Sequence, residues 1–163
     1  MARGASTMLI AAEQSTLAAL LDRLIPPDET GPGAVEAGVQ RYVESALAGA
    51  YATSLGAYQS GLTAVEEIAR DAEGDSFATL DMAAQDAVVA ALESHDDPAM
   101  RQFFELVRMH AIEGMFGDPC HGGNVGHAGW ALIGFPGPKG TYAEADQALG
   151  AIVEAIWQEQ GRA

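Results

Sequence analysis

One stretch of the chain places apolar residues at intervals that only a helix brings onto a single face. Intervals of four and three residues alternate strictly along Tyr51, Leu55, Tyr58, Leu62, Val65 and Ala69. This spacing follows the 3.6-residue turn of an α-helix and predicts a packing seam, not a catalytic pattern. We therefore predict a helix over residues 51–71. Its inner Gly56 and Gly61 each cost about 1 kcal/mol relative to alanine, so tertiary contacts must support it.

Similar periodicity predicts five further helices, over residues 9–25, 34–47, 81–94, 98–116 and 142–160. Pro26-Pro27 ends the first, and Asp97-Pro98 pairs an acidic N-cap with proline at the first helical position. The helix over 98–116 carries apolar residues on most of its sides, so we expect it to be central and the most buried. The last helix is predicted to turn one apolar face inward, formed by Leu149, Ile152, Val153 and Ile156.

Composition agrees with this pattern, because alanine and glycine are abundant while β-branched residues are sparse. No convincing strand is present. We predict an all-α fold of about six helices packed as an irregular bundle, with a long ordered loop rich in glycine and proline before the last helix. A length of 163 residues fits a single domain spanning 1–163.

The formal net charge of -15 excludes several classes of function. No cluster of Lys and Arg is visible, which argues against nucleic-acid binding and against attraction to an anionic membrane surface. The N-terminal residues contain no long apolar run, so we expect no direct membrane insertion and, from this chain's own signals, a cytoplasmic location. The single cysteine, Cys120, excludes an internal disulfide and a cysteine-rich metal site.

Residues 117–140 hold eight glycines and three prolines, yet also large apolar side chains. A flexible linker would lack those side chains, so we predict an ordered loop folded onto the surface. Trp130 and Phe135 are its expected anchors, either in the core or in a partner's groove. Gly122-Gly123-Asn124 matches no phosphate-binding pattern and follows no strand, so we expect no cofactor in this chain.

The histidines between 110 and 127 leave two interpretations open. One is a metal site in a stand-alone metal-binding protein or metalloenzyme, built from His110, Glu113, Asp118, His121 and His127. Their spacing matches no standard zinc or di-iron signature. The other, which we favour, is that His110 and Glu113 form buried hydrogen bonds that tie the loop to its helix. A nucleophilic Cys120/His121 pair lacks any visible activating context.

The chain resembles the gluconate 2-dehydrogenase subunit 3 family along nearly its whole length. The resemblance lies in motifs that follow one another in order: His110-x-x-Glu113-Gly114, Asp118-Pro119-x-His121-Gly122-Gly123-Asn124, Gly129-Trp130 and Leu132-Ile133-Gly134-Phe135-Pro136-Gly137. The opening Ala11-Ala12-Glu13 is also similar. Ile10 stands where family members often have a capping threonine, which predicts a weaker helix start by about 1 kcal/mol.

The resemblance implies a non-catalytic small subunit that binds and helps mature a large FAD-dependent dehydrogenase of the glucose–methanol–choline type, acting on sugars, sugar acids or glycosides. Related complexes often add a cytochrome c subunit. Members often begin with a twin-arginine signal, which is not seen here. Either a signal-bearing partner exports both chains to the periplasm, or the complex stays in the cytoplasm, or the signal was trimmed from this sequence. We expect the loop over 118–136 to dock on that partner, presenting Trp130 and Phe135. The candidates for docking or loop ordering are His110, Glu113, Asp118, Pro119, His121, Gly122, Gly123, Asn124, Trp130 and Phe135.

Overall fold

The computed structural model describes residues 8–151, and within that range it contains helices and turns but no β-strand. The helices are α1 (Ala11–Leu24), α2 (Val39–Ala48), α3 (Leu55–Glu73), α4 (Met82–Glu93), α5 (Pro98–Phe116) and the short α6 (Ala128–Leu132). The predicted all-α class is confirmed. None of the helices within 8–151 is long and apolar enough to cross a membrane.

Helix α5 lies at the centre of the bundle and contacts α1, α2, α3, α4 and α6. The core between these helices is one contiguous cluster of buried apolar side chains, including Leu17, Leu20, Val43, Tyr58, Leu62, Val65, Phe103, Val107 and Met115. Gly61 allows α3 to approach α5, since a Cβ at this position would overlap the ring of Phe103. The glycine that weakens the isolated helix is therefore required by its packing.

Side chains at the helix starts agree with the sequence signals. Asp81 and Asp97 cap α4 and α5 by accepting hydrogen bonds from the amides of Ala84 and Ala99, both within 2.9 Å. Ile10 offers no capping oxygen to α1. The Glu13 carboxylate instead accepts from the Ile10 amide at 2.8 Å, which is half of a capping box.

Two helices begin later than predicted. Helix α2 begins at Val39, not at residue 34, because Gly38 adopts a left-handed conformation with φ of 72° that a helix cannot include. Residues 34–38 form a turn. Helix α3 begins at Leu55, because Ala52–Ser54 form a separate 3-10 turn.

The expectation that α5 is buried on most of its sides is wrong for one face. Met109 and Ile112 are 48% and 45% exposed, because no described element covers that face. The predicted last helix is wrong over its described part: residues 142–151 contain only the short 3-10 helix Glu144–Gln147, and Leu149 is fully exposed. Ile152, Val153 and Ile156 lie outside the described residues.

Candidate functional site

The loop after α5 folds back over the C-terminal end of that helix and satisfies its carbonyl groups. The indole Nε1 of Trp130 donates to the Phe116 carbonyl at 2.8 Å. The buried Asn124 donates through Nδ2 to the Gly117 carbonyl at 2.8 Å and accepts from the Gly129 amide at 2.9 Å. Because the last carbonyls of a helix have no partner within it, these bonds fix the loop at the helix end.

Two glycines bring the loop backbone into direct contact with α5. A Cβ at Gly123 would overlap the Gly114 carbonyl, and a Cβ at Gly129 would overlap the Met115 carbonyl. The Gly122-Gly123-Asn124 segment therefore packs against a helix and leaves no space for a phosphate at Gly123. Its residues do not fit the pyrophosphate of FAD, the cofactor that the resemblance implies for the complex.

Trp130 lies within the fold, which corrects the expectation that it projects toward a partner. The residue is only 6% exposed, and Phe135 packs edge-on against its ring with centroids 5.1 Å apart. Both residues therefore order the loop.

The turn at Asp118 gives no sign of an activated nucleophile. Asp118 accepts from the Cys120 amide at 2.9 Å, and this hydrogen bond holds the pKa of the carboxyl below its usual range. Pro119 begins the 3-10 helix Pro119–His121 that follows. The Cys120 thiol is also hydrogen-bonded to the Asp118 carboxylate. This bond raises the pKa of the exposed thiol, which disfavours the thiolate that nucleophilic chemistry requires.

A buried polar network joins α5 to α2, α3 and the turn between them. Tyr58 Oη and His110 Nδ1 are hydrogen-bonded at 2.9 Å, and the Tyr51 ring stacks on the imidazole at 4.5 Å. The Glu113 carboxylate accepts from the hydroxyls of Tyr42 and Tyr51, at 2.8 and 3.2 Å. We predicted that His110 and Glu113 tie the loop to its helix through buried hydrogen bonds, and this is wrong about the loop: both residues are hydrogen-bonded, but to tyrosines of α2, α3 and the turn between them.

Burial sets the protonation states of this network. Desolvation lowers the pKa of His110 below its ordinary value, although Glu113 opposes this effect. Desolvation also raises the pKa values of Tyr42 and Tyr58, with Glu113 adding to the increase. At neutral pH we therefore expect the His110 imidazole to be neutral and the Tyr42 and Tyr58 phenols to be protonated, an arrangement suited to stable packing.

The metal interpretation gains no support from the part of the chain that the structure describes. Within residues 8–151, no three side chains of His, Cys, Asp or Glu come together at a distance suited to a metal ion. His110 is bonded to Tyr58, and Asp118 caps its turn. His121 is exposed, and the His127 ring lies tilted against Trp130 with the ring centroids 5.2 Å apart.

Comparison with protein families assigns the chain. The family model described as gluconate 2-dehydrogenase subunit 3 matches residues 11–137. The chain belongs to this family. As the family's name implies, its members are subunits of a multi-subunit dehydrogenase. No curated protein and no solved structure matches the chain.

The family match extends from the first residue of α1 through the loop that covers α5. Several of the motif residues quoted from the sequence have structural roles within this span. His110 and Glu113 hold the helices together, and Gly123, Asn124, Gly129 and Trp130 hold the loop on the helix.

Two surface features lie beside the polar network of Tyr42, Tyr51 and Glu113, and sequence reasoning missed both. A cleft of about 570 Å³ lies between α2 and the Asp118 turn and is lined by Arg41, Tyr42, Ser45, Ala46, Ala50, Tyr51, Cys120, His121 and Gly122. A groove of about 450 Å³ runs along the uncovered face of α5, with Leu106, Met109 and Ile112 as its apolar residues and Glu113 at its end. We name these the α2 cleft and the α5 groove. The excess of apolar residues around α5 was the one sequence signal for the groove.

Proposed function

We propose that this chain is the non-catalytic small subunit of a dehydrogenase complex. It binds, stabilises and helps mature a large flavoprotein of the glucose–methanol–choline type that oxidises sugars, sugar acids or glycosides. FAD is held by that large subunit. The observation that carries the proposal is the family match over residues 11–137.

The chemistry of the described residues favours a non-catalytic role in the complex. The buried histidine and its tyrosines are bonded to one another, the cysteine thiol is disfavoured as a thiolate, and the glycine-rich segment is packed against a helix. The buried histidine and the glycine-rich segment, two features that could suggest catalysis or cofactor binding, thus have structural roles.

The surface supports binding to a partner. Leu106, Met109 and Ile112 form an apolar strip on α5, and an apolar surface next to polar groups is typical of a protein interface. In this proposal the partner covers that strip. A cytochrome c subunit completes the complex where the large subunit passes electrons onward, and the complex is located where the flavoprotein's signal directs it.

The direct test is co-expression with the flavoprotein encoded beside this chain. The yield of soluble, FAD-loaded large subunit is measured from flavin absorbance with and without the small subunit. We expect soluble flavoprotein only with the small subunit, and co-purification of the two. If the yield of flavoprotein is the same without it and the two proteins do not co-purify, the proposal is wrong.

A matched pair of variants locates the contact. Met109→Asp places a charge in the α5 groove and is expected to reduce co-purified flavoprotein at least tenfold, since a desolvated unpaired charge costs several kcal/mol. Met82→Asp is the control, because Met82 is exposed but lies at the first position of α4. An equal loss from both variants would contradict a contact at the α5 groove.

A further inference from the structure

The arginine in the α2 cleft is exceptional in such an acidic chain. Most of the described basic side chains pair with a carboxylate, in the pairs Arg23–Asp86, Arg70–Glu66, Arg108–Glu105 and Lys139–Asp146. Arg101 and Arg41 contact only backbone carbonyls among residues 8–151. Of these two, Arg41 lines the α2 cleft.

Arg41 is held so that the end of its guanidinium remains available. Its Nε donates to the Gly122 carbonyl at 2.8 Å, and its two terminal nitrogens have no hydrogen-bond or ion-pair partner among the described residues. Ser45 and His121, both exposed, line the same cleft. A guanidinium anchored through Nε presents two parallel N–H groups that match the two oxygens of a carboxylate.

We propose that the α2 cleft binds the side-chain carboxylate of an Asp or Glu on the flavoprotein subunit, with Arg41 as its bidentate partner. The inference rests on the proposed function, because it assigns a contact within that complex. With a net charge of -15, this chain repels most acidic surfaces. A single Asp or Glu that enters the cleft therefore fixes the orientation in which the two subunits bind, and it adds little nonspecific attraction.

The position of the cleft favours a protein carboxylate over a small molecule. Tyr42 and Tyr51 line the α2 cleft, and both donate to Glu113, which also lines the α5 groove. The cleft and the apolar groove are thus neighbours, joined through the hydrogen bonds of these tyrosines to Glu113. A partner that covers the groove also excludes water from the cleft, and exclusion of water strengthens a charge pair at the centre of an interface.

The sharpest test leaves Arg41 and its bond to Gly122 in place. Ser45→Asp puts a carboxylate four residues along α2 from Arg41, where it competes for the guanidinium, and Ser45→Asn is its neutral isostere. Arg41→Glu reverses the charge directly, with Arg101→Glu as the control for the same change in net charge. Each tagged variant is co-expressed with the flavoprotein, and the flavin absorbance that co-purifies per small subunit is measured, while circular dichroism verifies that each variant is folded.

We expect Ser45→Asp and Arg41→Glu to lower the co-purified flavoprotein roughly tenfold or more, while Arg101→Glu stays within about twofold of the wild type and Ser45→Asn retains more flavoprotein than Ser45→Asp. If the wild type binds and all four variants bind equally well, the cleft proposal is overturned and the proposed function stands. If the wild type does not bind the flavoprotein, both are overturned. One-to-one binding of acetate to the isolated subunit at micromolar concentration, abolished by Ser45→Asp, would assign the cleft to a free carboxylate instead.

Discussion

The side chain of Asn124 forms two hydrogen bonds to backbone groups, one as donor and one as acceptor. Its Nδ2 donates to the carbonyl of Gly117, directly after α5, and its Oδ1 accepts from the amide of Gly129 in the loop. Its backbone adopts a left-handed conformation with φ of 47°, which asparagine tolerates better than most residues. One fully buried residue therefore determines both the path and the attachment of the loop.

Asn124→Ala is expected to lower the free energy of unfolding by about 3 kcal/mol. The substitution leaves the Gly117 carbonyl and the Gly129 amide without partners and adds the strain of a left-handed alanine. Urea denaturation followed by circular dichroism measures the change. Asn124→Gly separates the two causes, since it relieves the strain and still loses both bonds. A loss below about 0.5 kcal/mol in the alanine variant would contradict this role.

Two glycines are predicted to respond to alanine in opposite directions. Gly129→Ala forces the loop away from the Met115 carbonyl and is expected to cost about 2 kcal/mol or more. Gly56→Ala meets no atom within 4 Å on the exposed side of α3 and should stabilise the protein by about 0.5 kcal/mol. Thermal unfolding of both variants checks the pair. Equal effects would mean that the loop does not pack closely against α5.

At the scale of helices, local signals predicted the core of the fold well. The start of α5 at Pro98 and its end near Phe116 follow from the Asp97 cap and the glycine after Phe116. The start of α2 did not, because Val35 and Val39 have helical spacing and the break depends on the left-handed Gly38. This turn contacts the distant loop, since the Val125 amide donates to the Ala37 carbonyl at 3.0 Å and a Cβ at Gly38 would meet Val125 at 2.7 Å.

The partners of His110 and Glu113 could not be predicted from spacing on one helix. The sequence places both residues on one face of α5, which correctly predicts inner hydrogen bonds. Their partners, Tyr58 and Tyr42, lie 52 and 71 residues away along the chain. Likewise, the apolar residues around α5 do not reveal which face its neighbours leave uncovered. Only the packing of the whole bundle decides these points.

Acidification is expected to weaken the connection between α3 and α5 through His110. The pKa of His110 is lowered in the folded protein, so the unfolded chain binds the proton more readily. The stability from neutral His110 is therefore present above the ordinary value of 6.5 and is lost as the pH falls from there through the lowered pKa. The pH dependence of the free energy of unfolding measures this loss.

His110→Gln provides the control, because glutamine retains a polar group and does not titrate. The wild type is expected to lose more stability than His110→Gln between about pH 7.5 and 5. The other three histidines are shared by both proteins, so their contributions cancel. Parallel pH profiles would contradict the role assigned to His110.

For the molecule as a whole, added salt should have opposite effects on folding stability and on binding to the flavoprotein. Self-repulsion among the acidic groups opposes the compact state, so salt is expected to raise the melting temperature of the isolated subunit by a few degrees. The same salt should weaken binding to the flavoprotein if Arg41 pairs with a carboxylate. Calorimetry and interferometry between about 20 and 300 mM NaCl test both responses. A complex insensitive to salt would contradict the charge pair.

The location of Cys120 provides a natural labelling site for following the binding of a partner. This exposed residue is the only cysteine in the chain, and it stands at the edge of the α2 cleft. A maleimide dye would therefore attach at one place, without any engineered site, once the solution is alkaline enough to form the thiolate. Its emission would change as neighbouring water is displaced, so the arrival of a second protein at this edge could be followed in real time.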